Sequence, residues 1–410
     1  MRPWPAEGFT RAPYWVYSDP AVYAREQEAI FRGAAWHYLG LDCEVPDVGC
    51  YKSTFIGELP VIMTRADDGA VHAMLNRCAH RGNLVVREAF GRAEKLSCVY
   101  HAWNYNLQGE LTFAAFRHGL RGEGGLPKDF QLCDHGLRRL RVAVFCGLVF
   151  ATFDATLAPL EDWLGSVADG IRRVCAPDRG PLKVLGYDTQ RIHANWKAYH
   201  ENPRDSYHAN ILHTFYGTFG LSRQSQDSGM VLDASGRHVY FYTKANTETA
   251  SSDYKDTASS LRSHNDALTL EDTSILRWRD EFGDGISVQI LSTYPGFVLH
   301  QIANSLATRQ LLPKGPGQCD LVWTYFGFEG DDAETTRMRL VQANLAGSAG
   351  MVSVEDAAVC EMIRRAVGDG ATGESFIEMG GRTLDGGGNT KLSERAIRNF
   401  WHAYRQDMGL

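Results

Sequence analysis

No apolar run in this chain is long enough to cross a membrane as a helix. The longest, residues 142–153, holds about twelve residues against the ~20 required, and Gly147 interrupts it. It reads as two buried strands. The opening residues, Met1-Arg2-Pro3-Trp4-Pro5, lack the apolar core of a secretion signal, so a cytoplasmic protein is expected. Basic charge is not in excess. The 42 Lys and Arg face 49 Asp and Glu, a formal net charge of −7, which leaves no basic stripe for nucleic acid. The nine cysteines are odd in number and irregular in spacing, which argues against a disulfide framework and for reduced thiols. Glycine clusters at 122–125 and 386–388 lack the strand–helix setting of a phosphate loop. No internal repeat is present.

What the sequence does hold is size and pattern. At 410 residues with 44% apolar content it can bury two cores, so two main domains are expected. A cap-and-proline start at Ser18-Asp19-Pro20 predicts a helix to about residue 32. From Gly49 the period changes to two. Strands are predicted at 51–55, 59–65 and 71–76, parted by Gly57-Glu58 and Asp67-Asp68-Gly69 turns, and 140–145 with 148–153 close the run. The domain assignment is 1–37 as an N-terminal helical segment packed on the last domain, 38–156 as an all-β domain, and 157–410 as a mixed α+β domain. In this last domain a helix is predicted over 159–174 and strands over 182–193, 237–243, 288–292, 296–302, 307–312 and 321–328. Residues 247–272 read as a polar connection. Two helices close the chain. One carries Glu355 and Asp356; the other repeats Ile397, Phe400, Trp401, Tyr404 and Met408 and stops at Gly409.

The all-β segment carries Cys78-x-His80 and Cys98-x-x-His101. A cysteine and a histidine in each of two loops let each loop reach both irons of a [2Fe–2S] cluster. Thiolates would hold one iron and imidazoles the other, and neutral ligands in place of anionic ones raise the reduction potential. Amides of the Arg81–Gly82 turn are expected to donate to the cluster sulfurs. Structural zinc on the same four residues is the rival, although zinc sites favour Cys-x-x-Cys knuckles that group like ligands by loop.

Further on stands Asp205-x-x-His208-x-x-x-x-His213. Positions five apart on a regular helix point about 140° away from each other. The two histidines can therefore share a metal only if the helix is distorted or ends between them, and Pro203 already marks irregular backbone nearby. A carboxylate from elsewhere would complete the two-histidine, one-carboxylate triad of a non-heme Fe(II) site, which leaves positions open for dioxygen. Asp356 is the candidate and Glu355 its rival. His193, in a strand-like segment, reads as a hydrogen-bonded core histidine. Asn202 and Tyr207 are candidates to orient the ligands.

With Cys-x-His-Arg-Gly from Cys78, Cys-x-x-His-x-Trp from Cys98, Asn195-Trp196-Lys197 and Glu201-x-x-x-Asp205-x-x-His208-x-x-x-x-His213 in one chain, the sequence resembles, over nearly its whole length, the large (α) subunit of Rieske non-heme iron ring-hydroxylating oxygenases. The resemblance implies an α+β architecture. A Rieske β domain is joined to a catalytic domain whose antiparallel sheet wraps a long helix, the helix-grip or START-like fold. It implies Cys78, His80, Cys98 and His101 as ligands of the [2Fe–2S] cluster, and His208, His213 and Asp356 as ligands of a mononuclear Fe(II). It implies a head-to-tail ring, an α3 trimer or an α3β3 assembly with a small β subunit. In that ring Asp205 would carry electrons from His101 of one subunit to His208 of the next. NAD(P)H would be used through a separate reductase or ferredoxin, because the chain has no flavin or nicotinamide fingerprint of its own.

Within that family the likeness is to oxygenases of aromatic carboxylates such as terephthalate, anthranilate and salicylate, carried by residues 205–209, 292–299, 309–314 and 376–381. A benzoate-type substrate needs a fixed cation in an apolar cavity. Arg309 is the candidate, because arginine can grip a carboxylate through two parallel bonds. Lys391 stands roughly where terephthalate enzymes carry an arginine, a departure from them and the candidate second cation. Val288 and Ile290 are candidates for the cavity wall. The implied activity is dioxygenation to a cis-dihydrodiol or the derived catechol. Monooxygenation, as in salicylate hydroxylases or demethylases, is an alternative, as is oxidation of a quaternary ammonium acid, which would want an aromatic cage. A pure electron carrier would leave the second motif unused.

Overall fold

The computed structural model describes residues 2–175, 177–219, 221–223, 226–245, 267–368, 370 and 372–410. Most of the polar connection expected at 247–272 lies outside these described residues. Contacts sort the chain into two compact units, Phe31–Leu160 and Met1–Ile30 with Glu161–Leu410.

The unit Phe31–Leu160 is built on strands β1 (His37–Leu41), β2 (Cys50–Ile56), β3 (Leu59–Arg65), β4 (Val71–Leu75), β5 (Phe90–Arg92), β6 (Leu96–Ser97), β7 (Asn104–Tyr105), β8 (Leu111–Phe113), β9 (Arg139–Phe145) and β10 (Leu148–Thr152). Seven of them form one sheet in the order β1-β10-β9-β4-β3-β2-β5, and β6-β7-β8 form a second. The Gly57-Glu58 turn works as expected: Ile56 pairs with Leu59, and Gly57 takes φ 57°, which a two-residue hairpin demands. One expectation needs correcting. Only β10 of the closing hairpin is buried throughout; in β9 Leu140 alone is buried and the rest are half-buried or exposed.

The second unit holds the antiparallel strands β11 (Leu182–Ile192), β12 (Ser228–Leu232), β13 (Val239–Lys244), β14 (Ile286–Thr293), β15 (Phe297–Ile302), β16 (Ser305–Pro313) and β17 (Cys319–Phe328), in the order β11-β17-β16-β15-β14-β13-β12. Every residue of β15 and β16 is buried. The polar–apolar alternation in these strands therefore does not mark a solvent face. His300, Gln301, Thr308 and Arg309 are as enclosed as their apolar neighbours.

Helices pack around this sheet. Helix α1 (Pro20–Glu26) starts where predicted, with the Asp19 side chain accepting from Ala21 N at 2.8 Å. Beyond Glu26 it loosens into a wider turn over Gln27–Phe31. The helix expected over 159–174 is broken: α2 (Leu160–Leu164) and α3 (Ala168–Cys175) flank a tight turn at Gly165, whose φ of 55° no continuous helix accommodates. Short helices α4 (Trp196–Glu201), α5 (Ala209–Leu212) and α6 (Thr214–Thr218) follow. Three long helices, not two, come after the sheet: α7 (Ala333–Ala346), which was not anticipated, α8 (Met351–Val367) and α9 (Arg395–Met408). Gly409, at φ 60°, ends α9 as predicted.

A buried charge ties three of these helices together. Glu26 on α1 accepts from Lys197 Nζ at 2.6 Å, Trp196 Nε1 at 2.8 Å and Tyr404 Oη at 2.5 Å. Breaking such a buried pair leaves an uncompensated charge, at a cost of about 3–5 kcal/mol. The network fixes α4, the helix from which the histidine-bearing segment departs.

Candidate metal centre and substrate cavity

The two cysteine–histidine loops share one geometry. Gly82 N donates to Cys78 O at 2.9 Å and Ala102 N to Cys98 O at 2.9 Å, so each loop closes four residues after its cysteine. The closing residue has positive φ in both, 71° at Gly82 and 53° at Ala102. Since the Gly82 amide is spent on this turn, the expectation that it donates to a cluster sulfur is corrected. Asn76 pins the first loop, accepting from Val85 N and Val86 N and donating to Val86 O at 2.7 Å. Tyr105 Oη accepts from Ala79 N at 3.0 Å and lies 3.2 Å from Cys78 Sγ, and Asn83 Nδ2 reaches Cys98 Sγ at 3.8 Å.

Burial separates the donors by kind. Cys78 and Cys98 are buried, while His80 and His101 are half-buried with ring centroids 4.5 Å apart. Trp103 stacks on His80 at 4.9 Å. Burial pushes the Cys78 thiol up. Burial also opposes ionisation of Cys98, but the N–H groups of Tyr100, Asn83 and His101 outweigh it and bring that thiol down. His80 Nδ1 is buried with no hydrogen-bond partner. Two enclosed sulfurs, two outer imidazoles and an orphaned ring nitrogen fit a cluster held with thiolates inside and imidazoles outside. Sequence reasoning missed Tyr105 and Asn83; nothing but their nearness to the cysteines could have flagged them.

The second motif resolves its own geometric problem. The Asn195 side chain caps α4 by accepting from Lys197 N at 3.1 Å. A tight turn over Asn202–Arg204, with Pro203 in it, ends the regular helix. The Asp205 carboxylate then accepts from Tyr207 N at 2.8 Å and His208 N at 3.3 Å, starting the next turn. Helix α5 is one turn long and bounded by the two histidines. His208 is still helical, but His213 takes φ −83° and ψ 78°, so the helix ends there. The two rings lie together, 5.4 Å apart and 74° inclined.

Asp356 comes from the inner face of α8, buried with Val352, Ser353, Ala357 and Cys360. Its Oδ1 lies 3.4 Å from His208 Nε2 and 3.2 Å from His213 Nε2. Ligand atoms of His208, His213 and Asp356 all fall within 4.8 Å of one another. Asn202 Nδ2 donates to Asp356 Oδ1 at 2.9 Å and lies 3.3 Å from His208 Nε2. Burial drives the Asp356 carboxyl up, yet the two imidazoles outweigh it and hold it far below the usual carboxylate range. A carboxylate this enclosed demands positive charge beside it, which a divalent cation would provide. Two imidazoles and one carboxylate on a single point are the donor set of a non-heme ferrous site.

The rival Glu355 does not join the triad. Its Oε2 sits 2.8 Å from His213 Nδ1, the nitrogen facing away from Asp356. Asp205 Oδ2 is 3.4 Å from His208 Nδ1. Each histidine thus has a carboxylate at its rear. Tyr207 contributes its backbone N–H to Asp205. His193 is exposed just past β11, not in the core as expected, and donates its backbone N–H to Glu361. His200 is buried and accepts from Arg204 Nε at 3.1 Å.

A cavity of about 100 Å³ opens on the triad, and Val288, Ile290, Arg309 and Lys391 line it. Arg309 is 4% exposed. Its guanidinium lies over the Trp323 ring at 4.3 Å, donates to Tyr199 Oη at 3.0 Å and contacts His300 Nδ1 at 2.7 Å. Burial keeps His300 neutral, so Nδ1 can accept. Nε has no partner, and among the described residues no carboxylate pairs with this cation. Lys391 donates to Arg223 O at 3.1 Å, and burial lowers its ammonium to about 8.

Comparison with known proteins agrees with this geometry. Residues 180–409 match the ring hydroxylating alpha subunit (catalytic domain) family and 35–118 the Rieske [2Fe-2S] domain. The chain is 46% identical over 407 residues to a terephthalate 1,2-dioxygenase terminal oxygenase component subunit alpha 2 of Comamonas sp, covering 99% of this chain and 97% of the relative. It is 41% identical over 408 residues to an anthranilate 1,2-dioxygenase large subunit of Burkholderia cepacia (99% and 95% covered). It is 39% identical over 412 residues to the large oxygenase component of a salicylate 5-hydroxylase of Ralstonia sp (99% and 96%). The fold is shared with naphthalene 1,2-dioxygenase from Rhodococcus sp., at a TM-score of 0.80 and 23% identity over 97% of this chain and 94% of that one. The chain therefore belongs to the Rieske ring-hydroxylating oxygenases as an α subunit, an oxidoreductase with a Rieske [2Fe–2S] domain and a mononuclear non-heme iron site.

Proposed function

We propose that this α subunit is the terminal oxygenase of a multicomponent dioxygenase that adds both atoms of O2 to the ring of an aromatic carboxylate, giving a cis-dihydrodiol or the derived catechol. The observation that carries this reading is Arg309, a buried cation without a carboxylate partner among the described residues, on the wall of the cavity that holds His208, His213 and Asp356. A guanidinium has five N–H donors. Tyr199 and His300 engage two of them, which leaves enough for a bidentate grip on a carboxylate. The names of the three relatives above point to the same substrate class.

A Rieske cluster supplies electrons singly, and a mononuclear ferrous ion supplies dioxygen activation. This chain's residues do the rest. Cys78, Cys98, His80 and His101 hold the cluster, and His208, His213 and Asp356 hold the iron. Asn202 steadies Asp356 by its amide. Asp205, 23% exposed and 3.4 Å from His208 Nδ1, is the entry point for electrons from a neighbouring subunit's cluster in an α3 or α3β3 ring. Arg309 fixes the carboxylate, Val288 and Ile290 press on the ring, and Lys391 offers a second cation to a dicarboxylate. Reducing equivalents come from NAD(P)H through a reductase or ferredoxin. Two buried cations in the cavity weigh against a quaternary ammonium substrate, whose charge they would repel.

The test is a single turnover of the reduced holoenzyme with labelled O2 on terephthalate, anthranilate, salicylate and benzoate, read by mass spectrometry. A diol or catechol bearing two labelled oxygens is expected from at least one acid. One labelled oxygen would assign monooxygenation instead. No labelled product from any acid, with cluster and iron intact, would overturn the carboxylate reading.

A further inference from the structure

Strand register decides what Arg309 can touch. His300 on β15 pairs directly with Ala307 on β16, so Arg309, two residues further along, is its diagonal neighbour on the same face of the sheet. Ala307 carries only a methyl group, and nothing larger at that position blocks the diagonal. Trp323 on β17 pairs directly with Arg309, and its ring lies 4.3 Å from the guanidinium. The His300 ring meets the same indole edge-on, with centroids 5.5 Å apart. His300 and Trp323 are fully buried and do not line the catalytic cavity, whereas Arg309 does.

The partners of this guanidinium carry no charge. Arg309 donates to Tyr199 Oη at 3.0 Å and to His300 Nδ1 at 2.7 Å. Burial keeps the phenol protonated, and burial together with the adjacent guanidinium keeps the imidazole neutral. Both acceptors therefore direct the guanidinium without offsetting its charge. A carboxylate in place of the imidazole would close an ion pair with Arg309, and an acid entering the cavity would meet no net positive charge.

We propose that His300 is a positioning residue that sets the preference for acids: a neutral acceptor that holds the Arg309 guanidinium in place and leaves its charge to the substrate. The inference rests on Arg309 holding the substrate carboxylate. It assigns specificity to a side chain that does not itself reach the cavity.

The test measures, by calorimetry on the oxidised holoenzyme, binding of the acid from the panel above that is turned over best and of its neutral amide. Variants are compared at wild-type cluster spectrum and iron content. Asparagine and aspartate both place an oxygen where His300 Nδ1 stands, and they differ in charge. His300→Asn should keep the preference for the acid to within about threefold of wild type. His300→Asp, which neutralises Arg309, should cut that preference by about 30- to 100-fold. His300→Leu, which removes the acceptor, should cut it by about 10-fold, the loss of one hydrogen bond to a charged group. Disturbed packing alone would move the asparagine and aspartate variants together, and acid and amide together. Two results overturn the positioning role and leave the Arg309 reading standing: Arg309→Gln abolishes the preference while His300→Asp retains it, or His300→Asn and His300→Asp lose it equally. Where His300→Asp does not load its metals, His300→Leu against His300→Asn decides, and equal preference in those two overturns the role. A wild type that binds the acid no better than the amide, or an Arg309→Gln variant that keeps the preference, overturns the carboxylate reading and the positioning role with it.

Discussion

Arg309→Gln separates a substrate anchor from a structural arginine. The guanidinium is enclosed by Trp323, Tyr199 and His300, with its Nε unpaired. If it holds the substrate carboxylate, its removal leaves that carboxylate buried without a counter-charge. Truncating one partner of a buried, hydrogen-bonded charge pair costs about 2–5 kcal/mol. At 1.4 kcal/mol per tenfold, the lower part of that range, about 2–4 kcal/mol, is a loss of about 30- to 700-fold in kcat/KM for the acid. Because Arg309 also serves Tyr199 and His300, stability must be followed too; one unpaired buried group costs about 1–3 kcal/mol. The discriminating assay is therefore a ratio: oxygen uptake with the acid against uptake with its neutral amide, in protein whose cluster spectrum and iron content match the wild type. The acid should lose its advantage over the amide in Arg309→Gln. Arg309→Lys, which keeps the charge but not the fork, should fall between. A variant with intact metals that still prefers the acid as strongly as the wild type would refute the anchor.

Other predictions follow from the same geometry. Asp205→Asn should retain cluster and iron yet lose steady-state turnover by about 100-fold; full activity in that variant would remove Asp205 from the electron route. Glu355→Gln should weaken Fe(II) binding by about 10- to 100-fold in chelator competition, without changing the cluster spectrum, because it loosens the hold on His213 Nδ1. Equal iron affinity would make Glu355 a bystander. Lys391, lowered by burial to about 8, is charged below that pH and neutral above it. If it holds the second carboxylate of a dicarboxylate, kcat/KM for terephthalate should fall as pH rises through 8 while that for benzoate does not. Lys391→Arg should abolish the difference, and a parallel fall for both acids would exclude Lys391 from binding.

The ligands were legible because metal chemistry restricts them to a few residue types at short spacing, and spacing survives without knowledge of the fold. Their partners were not legible, because each depends on a phase that a single sequence leaves open. Asp356 and Glu355 are neighbours about 100° apart on α8. Which of them faces the histidines is decided by the helix face that packs inward, here the one carrying Val352, Ser353, Ala357 and Cys360. The surroundings of Arg309 were hidden for a similar reason. Tyr199, His300 and Trp323 come from α4, β15 and β17, and only the register β15–β16–β17 brings them to one guanidinium. Alternation in β15 and β16 does not show which side faces a cavity, because polar and apolar residues are enclosed alike.

The five-residue histidine spacing shows how an apparent misfit became information. At a spacing of four, both rings would lie on one face of a continuous helix. At five, a regular helix would turn them apart, so a shared metal required the helix to end. It ends at His213, whose ψ of 78° turns the following chain away from the helix axis. The His213 ring stands between two adjacent positions of α8. Its Nε2 lies 3.2 Å from Asp356 and its Nδ1 2.8 Å from Glu355, one position earlier. One imidazole thus separates the two carboxylates: the buried Asp356 joins the triad, and Glu355 lies behind the ligand.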